Sequence, residues 1–280
     1  MFIANCKQPM TLTNLDITFA EPKKISGLLG SKEVMVVTDK VIHQRGVDIT
    51  TNSKFKKEVN FIISIMPNKY NGEAGIGPTY FLEAKDPKHR DRASLNGLDL
   101  KSGALSEWVK DKDTKLNLFE WVDDNPDIKV RDTENGREHI LSHIISNINY
   151  LSSSESSKYK VDIYEGVWRN SEGTLLDTTK HLGKVGAEGH AAITIHRDGG
   201  VFVHPYEKGK WQHTSTTLGK PVLSAGLIKI EQGIAKSFHL SSGHYRPKLP
   251  QLENFIRKMI EKGVNINEMN FDTSQNIASI

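Results

Sequence analysis

The residue types best suited to chemistry crowd into one stretch of this chain. Of eleven histidines, His204, His213, His239 and His244 fall between residues 204 and 246, with Lys210, Lys220, Ser215, Ser241 and Tyr245 among them. Three segments carry most of them: Trp211-Gln212-His213-Thr214-Ser215-Thr216, Gly219-Lys220-Pro221 and Ser241-Ser242-Gly243-His244-Tyr245-Arg246-Pro247. In the last, Gly243 permits a bend that a side chain would resist, and Pro247 stiffens the exit. His244 at such a turn can act as a base near neutral pH. Tyr245 can donate to a ligand or stack on it, and Arg246 can grip a phosphate or carboxylate through two donors. The hydroxyls of Thr214 and Ser215 beside His213 suit either ligand hydrogen bonds or a structural turn. Two readings follow. In one, His213, His244 and Tyr245 are catalytic, while Arg90, Ser215, Lys220, Ser242 and Arg246 bind the ligand. In the other, the same histidines and tyrosine bond backbone groups and fix a strand-to-helix joint.

Other chemistries are poorly served. The histidines lack tight ligand spacing, and only Glu207 and Glu231 supply carboxylates nearby, so no metal site is expected. His139 and His143 lie four apart, but no Glu follows His139, so the zincin pattern is missing. Gly72, Gly75 and Gly77 are not followed by Gly-Lys-Ser/Thr and read as a turn, not a phosphate loop. No Gly-x-Ser-x-Gly elbow, kinase set, Rossmann fingerprint, Cys-x-x-Cys or EF-hand loop occurs. Trp108, Trp121, Trp168 and Trp211 are scattered and read as core anchors. The one cysteine, Cys6, can form no internal disulfide. Asp86-Pro87-Lys88-His89-Arg90-Asp91-Arg92 reads as a solvated loop or as an ordered site wall.

The elements that must position these groups change character along the chain. Val34–Val37 and Phe61–Ile65 read as strands. Leu141, Ile144, Ile145 and Ile148 fall at i, i+3, i+4 and i+7 and predict a helix face. Ser152–Ser157 reads as a loop, and Tyr159–Tyr164 alternates like a strand. Ala192–Ile195 and Val201–Val203 flank Arg197-Asp198-Gly199-Gly200, a hairpin signal. Leu227–Ile230 and Ile234–Phe238 flank Glu231-Gln232-Gly233, a second one. Leu252, Phe255, Ile256, Met259 and Ile260 form a helix stripe, with Pro250 suited to its start and Gly263 to its stop. The expected class is α+β: an antiparallel sheet with helices, including a C-terminal amphipathic helix packed on the sheet. The expected division is a segment or small lobe over 1–80, a core domain over 81–272 and a frayed tail over 273–280.

Composition narrows the partners. The 280 residues carry 37 Lys+Arg against 34 Asp+Glu, a net charge of +3, with 37% hydrophobic residues. That is too apolar for a disordered chain and too balanced for a nucleic-acid binder that works by bulk charge. No stretch is apolar over the roughly 18 residues of a membrane span. The start lacks the pattern of a cleaved signal peptide. The expectation is a soluble protein, cytoplasmic when made, with export by other machinery left open.

The His213-Thr214-Ser215 segment, Gly219, Ala225-Gly226 and Ser242-Gly243-His244-Tyr245-Arg246-Pro247 together resemble the conserved core of the plant IQ-motif-containing, calmodulin-binding proteins and related bacterial and fungal proteins. Asp86-Pro87-Lys88-His89-Arg90 and Phe119-Glu120-Trp121-Val122-Asp123 resemble two further segments of that family, and the likeness runs loosely over 80–272. No full IQ motif is present: Val41-Ile42-His43-Gln44-Arg45-Gly46 keeps a fragment, so calmodulin binding is not carried over. Thr216 stands where the family commonly has an aromatic. Lys248-Leu249-Pro250 replaces the acidic residues that commonly follow its Tyr-x-Pro. Some bacterial members look like toxin or effector domains. On that footing the expected function is an effector-like enzyme domain acting on a phosphate-bearing ligand or nucleotide, with transfer to a host or target protein. The alternative is a protein-interaction module without catalysis. The cofactor is left open.

Overall fold

The computed structural model describes residues 66–91, 104–111, 113–131 and 137–273. Cys6, the strands expected at Val34–Val37 and Phe61–Ile65, the fragment at residues 41–46, Arg92 and residues 274–280 of the expected tail lie outside them. The described residues divide into two compact units, one of residues 66–68 and 77–149, the other of residues 69–76 and 150–273.

The first unit opens with helices α1 (Pro78–Lys85), α2 (Ala104–Lys110) and α3 (Leu118–Asp124). A short hairpin, β1 (Lys129–Arg131) with β2 (Glu138–Ile140), and a single turn α4 (Leu141–Ile144) follow among the described residues. Asn117 starts α3 by a capping box with Glu120, satisfying backbone donors that the first turn leaves open. Trp108 and Trp121 are buried with Leu118, Val122, Val130 and Leu141. Each indole N–H finds an acceptor, Trp108 in the Leu116 carbonyl at 3.0 Å and Trp121 in the Asp111 carboxylate at 2.8 Å.

The helix expected through residue 148 stops after one turn. Ile140 and Ile145 are extended, at ψ 129° and 126°. Residues 146–148 bridge to residues 89–91 instead: Asp91 N–H donates to the Ser146 carbonyl and Ile148 N–H to the His89 carbonyl. Four isoleucines in nine positions weaken a helix already, and tertiary pairing takes the backbone groups that a longer helix would need.

In the second unit α5 (Ser153–Ser156) occupies the serine run expected to be a loop. Ser152 and Glu155 form a capping box, the Ser-x-x-Glu signal of a helix start. A 3-10 turn at Ser157–Tyr159 shortens the expected strand to β3 (Asp162–Tyr164), which pairs with β4 (Val167–Arg169). The main sheet holds β5 (Ala191–His196), β6 (Val201–His204), β7 (Val222–Glu231), β8 (Ile234–His239) and β9 (Asn270–Asp272), in the order β6-β5-β7-β8-β9. Both expected hairpins form, β5 with β6 and β7 with β8. At the second turn Gln232 and Gly233 both take positive φ, 45° and 80°, matching a hairpin turn to the strand twist. Only the β8–β9 pairing is parallel within this sheet.

Helix α6 (Leu249–Glu261) lies against one face of that sheet. Its Leu252, Phe255, Ile256 and Met259 bury among Ile193, Ile195, Ile228, Ile230 and Phe238. The rings of Phe238 and Phe255 stack at 3.8 Å between centroids. Pro250 sits in its first turn, and Gly263 follows the C-cap at φ 76°. The fold is α+β. No helix among the described residues is long and apolar enough to cross a membrane.

Candidate functional site

The His213–Lys220 segment of the second unit lies over the sheet face opposite α6, where Thr216 Oγ1 is 3.3 Å from Thr194 Oγ1. Residues 205–221 cross that face between β6 and β7, and a 3-10 turn at His213–Ser215 brings His213 down onto β7. Its Nε2–H donates to the Gly226 carbonyl at 2.7 Å, and the side chain is 2% exposed. Burial pushes the imidazole pKa down to about 3, with the charges of His204, His244 and Lys184 adding to the effect. It is therefore neutral at physiological pH. Gly226 has no room for a side chain: a Cβ there would stand 2.4 Å from the His239 carbonyl and 2.6 Å from the Phe238 ring. The Ala-Gly pair thus lets a ring pack flat on β7 while the glycine carbonyl anchors His213.

Ser215 and Tyr245 are also committed to backbone. Ser215 Oγ accepts from the Gln212 N–H at 3.0 Å, and its carbonyl accepts from Leu151 at 2.9 Å. The Tyr245 hydroxyl donates to the Lys220 carbonyl at 2.7 Å and accepts from Thr217 Oγ1 at 2.6 Å. Burial raises its pKa far above neutrality, although the Thr217 bond opposes the shift. Ser242 Oγ accepts from the Tyr245 N–H at 3.3 Å, and the Ser242 carbonyl from Arg246 at 2.9 Å. His244 is half-buried; the Lys220 and Arg246 side chains reach the surface.

Tyr245 thus ties Thr217, the Lys220 carbonyl and Ser242 into one hydrogen-bonded joint, while His213 and Ser215 bond to Gly226, Gln212 and Leu151 of the same unit. Arg90 belongs to the other unit. There it is 2% exposed, with Nε 3.3 Å from Asp86 and Nη2 2.5 Å from Asp123. Asp86 and Arg90 are a buried ion pair rather than part of a solvated loop. A turn does form at residues 243–245, but it does not need a glycine at 243. Its neighbourhood is open and its φ is not positive, whereas Arg246 takes φ 43°.

Two features escaped the motif reading. The first is the loop His181-Leu182-Gly183-Lys184-Val185-Gly186, where Leu182 is 80% and Val185 96% exposed. Its backbone is nonetheless pinned: Gly189 N–H donates to the His181 carbonyl, Ala187 N–H to the Lys184 carbonyl, and Lys184 Nζ to Ser241 Oγ at 2.7 Å. Gly183, at φ 62°, packs so closely on the Ala187 carbonyl that no Cβ fits. The second is an open cleft of about 640 Å³ beside β8, lined by His190, Lys229, Ser237, His239 and Asn270 among others. Its residues are distant in sequence, so no spacing announces it. Among the described residues no group of three or more His, Cys, Asp or Glu is placed to hold a metal ion.

Residues 155–252, which carry this joint and the pinned loop, match the family described as the IQ motif-containing protein middle domain. Parts of three curated proteins are similar over a longer stretch of this chain. The IQ domain-containing protein IQM3 of Arabidopsis thaliana is 28% identical over 68% of this chain and 39% of its own length. IQM4 of the same plant is 25% identical over 67% of this chain and 32% of its own, and IQM2 25% identical over 71% and 31%. The chain thus spans less than half the length of these curated relatives. No solved structure matches it. The resemblance to the plant IQ-motif proteins stands. The toxin, effector, host-interaction, transferase and nucleotide-binding expectations do not, because the relatives are plant IQ domain-containing proteins.

Proposed function

We propose that this chain is a protein-interaction module that docks a partner protein on the loop at residues 181–186, with the His213–Tyr245 motifs acting as the joint that holds its surface in shape. The observation that carries the reading is the pairing of a pinned backbone with two almost fully exposed apolar side chains, Leu182 at 80% and Val185 at 96%. A disordered loop could turn such side chains inward. A loop held by Gly183, Ala187 and the Lys184–Ser241 bond keeps them in water. Burying each against a partner would yield about 1.5–3 kcal/mol. The similarity to IQ domain-containing proteins supports interaction over catalysis at the motif residues. So does the commitment of His213, Ser215 and Tyr245 to carbonyls and amides of their own chain.

The test compares the full chain with its Leu182→Glu/Val185→Glu variant as baits in extract from the source cells, with crosslink mapping. Both side chains point to solvent, so the variant should melt with the parent. The expected result is a partner whose crosslinks fall on residues 181–186 and whose capture drops at least roughly tenfold in the variant, the loss of about 1.4 kcal/mol or more. Capture unaffected by the substitutions, crosslinks confined to other surfaces, or no captured protein would overturn the reading.

A further inference from the structure

The cleft beside β8 holds an arrangement that neither the joint nor the exposed loop uses. His190, just before β5, is 6% exposed, and its Nε2 lies 2.7 Å from Ser237 Oγ. Its Nδ1 lies 3.1 Å from the Glu188 carbonyl. A carbonyl oxygen only accepts, so Nδ1 carries the ring proton and Nε2 keeps the lone pair facing the serine hydroxyl. Burial lowers the His190 pKa, which keeps that lone pair free at neutral pH. Ser237 is in register with Lys229 on one side and Asn270 on the other, so the three side chains form a row on one sheet face. His190 and the whole row line the open cleft. The His239 ring is 4.3 Å from that of His190, and its Nδ1 lies 3.5 Å from the Asp272 carboxylate.

We propose that this cleft is a hydrolytic site for small carboxylic esters, with Ser237 as nucleophile, His190 as its base and the Asn270 side-chain amide as donor to the oxyanion. An activated nucleophile needs a base within hydrogen-bond reach and a third group that orients the base. Ser237, His190 and the Glu188 carbonyl meet those conditions. Ser237 Oγ bonds to the ester carbonyl carbon as its proton passes to His190 Nε2, leaving the former carbonyl oxygen negative beside Asn270. Collapse of that intermediate breaks the bond to the alkoxy oxygen. The alcohol leaves with the proton from His190. Water then adds to the acyl-serine carbon, giving a proton to His190. Expulsion of Ser237 with that proton restores the side chain and releases the carboxylic acid. Lys229 is paired with Glu231 at 2.9 Å, and Glu188 stands on the same wall as Lys236, so the acidic and basic side chains of the cleft balance, which suits a neutral ester.

The experiment treats the full-length chain with a fluorophosphonate, which phosphorylates an activated serine with loss of fluoride, and locates the adduct by peptide mass. In parallel, p-nitrophenyl acetate hydrolysis is measured for the parent and for Ser237→Ala and His190→Gln, each checked by thermal unfolding. The expected result is an adduct on Ser237 and turnover lowered about 100-fold in each variant, the usual scale of lost base assistance. No adduct on the folded parent, an adduct on another residue, or equal turnover in the parent and a folded Ser237→Ala variant would overturn the assignment. Should the variants fail to fold, the presence or absence of the Ser237 adduct on the parent decides alone.

Discussion

Gly226→Ala is expected to melt about 10 °C below the parent. The added methyl would stand 2.4 Å from the His239 carbonyl and 2.6 Å from the Phe238 ring, well inside contact distance. Neither neighbour can yield cheaply. His239 is in register with Leu227 on β7, and Phe238 is stacked on Phe255 of α6 at 3.8 Å. Nor can β7 move away, because the Gly226 carbonyl holds His213 at 2.7 Å. Overpacking of this kind costs on the order of 3 kcal/mol. In a chain of this size each kcal/mol moves the midpoint by about 2–4 °C. Gly243→Ala is the internal contrast: nothing lies within 4 Å of its added Cβ, and φ there is not positive. Its midpoint should stay within about 1–2 °C of the parent, as for other open surface positions. Calorimetry or circular dichroism on the three proteins decides. A Gly226→Ala chain that melts with the parent would mean that the His213 anchor is loose.

Mild acid should destabilise the fold strongly. Burial holds His204 and His196 at pKa values of about 4 and His213 at about 3, while the unfolded chain offers histidines near the ordinary 6.5. Above pH 6.5 neither state binds these protons, and the full stability is present. Below it the unfolded chain takes up protons that the folded chain refuses, so stability falls as pH drops from 6.5 toward the folded values. Each such histidine contributes about 1.4 kcal/mol per pH unit in that window. His204 and His213, both essentially fully buried, together remove about 4 kcal/mol between pH 7.5 and 5. Urea unfolding at pH 7.5 and pH 5 measures the difference. A free energy that stays flat across that interval would show that water or a counter-charge reaches these rings.

The sequence was legible where local pattern and tertiary demand agree. The two hairpins of the main sheet combine alternating or continuous apolar runs with glycine turns. The last helix combines a five-residue stripe with Pro250 at its start and Gly263 beyond its end; Leu252, Phe255, Ile256 and Met259 of that stripe are buried, and Ile260 is exposed. Legibility failed where the two disagree. The stripe from Leu141 to Ile148 has helical spacing, yet residues 146–148 bridge to residues 89–91, a pairing no window around 145 contains. The helix at Ser153–Ser156 was readable in principle, because Ser152 and Glu155 stand at capping-box spacing inside a serine run that looked like a loop. The motif joint was half legible. Its residue types and spacing mark it in the sequence, but their roles depend on acceptors elsewhere in the chain: the carbonyl of Gly226 for His213, and that of Lys220 for Tyr245. Gly243 stands in a turn with open space around it, whereas Gly183 and Gly226 have no room for a side chain. The His190–Ser237 pair was invisible, since the two lie 47 residues apart and meet only through the sheet register. The exposed pair Leu182 and Val185 was equally hidden, because exposure is a property of the folded surface.

The central claim is that the Gly-His-Tyr turn is a joint and not a reacting site, and the Tyr245→Phe variant tests it most directly. The substitution keeps the ring and removes only the hydroxyl that joins Thr217 Oγ1 to the Lys220 carbonyl. Leaving those buried groups short of a partner costs about 1–3 kcal/mol. The expected result is a midpoint lower by about 5 °C, with amide exchange quickened at residues 217–220, the stretch that the hydroxyl ties down. An unchanged midpoint with unchanged protection over 217–220 would contradict the account and return Tyr245 to the list of groups available for chemistry.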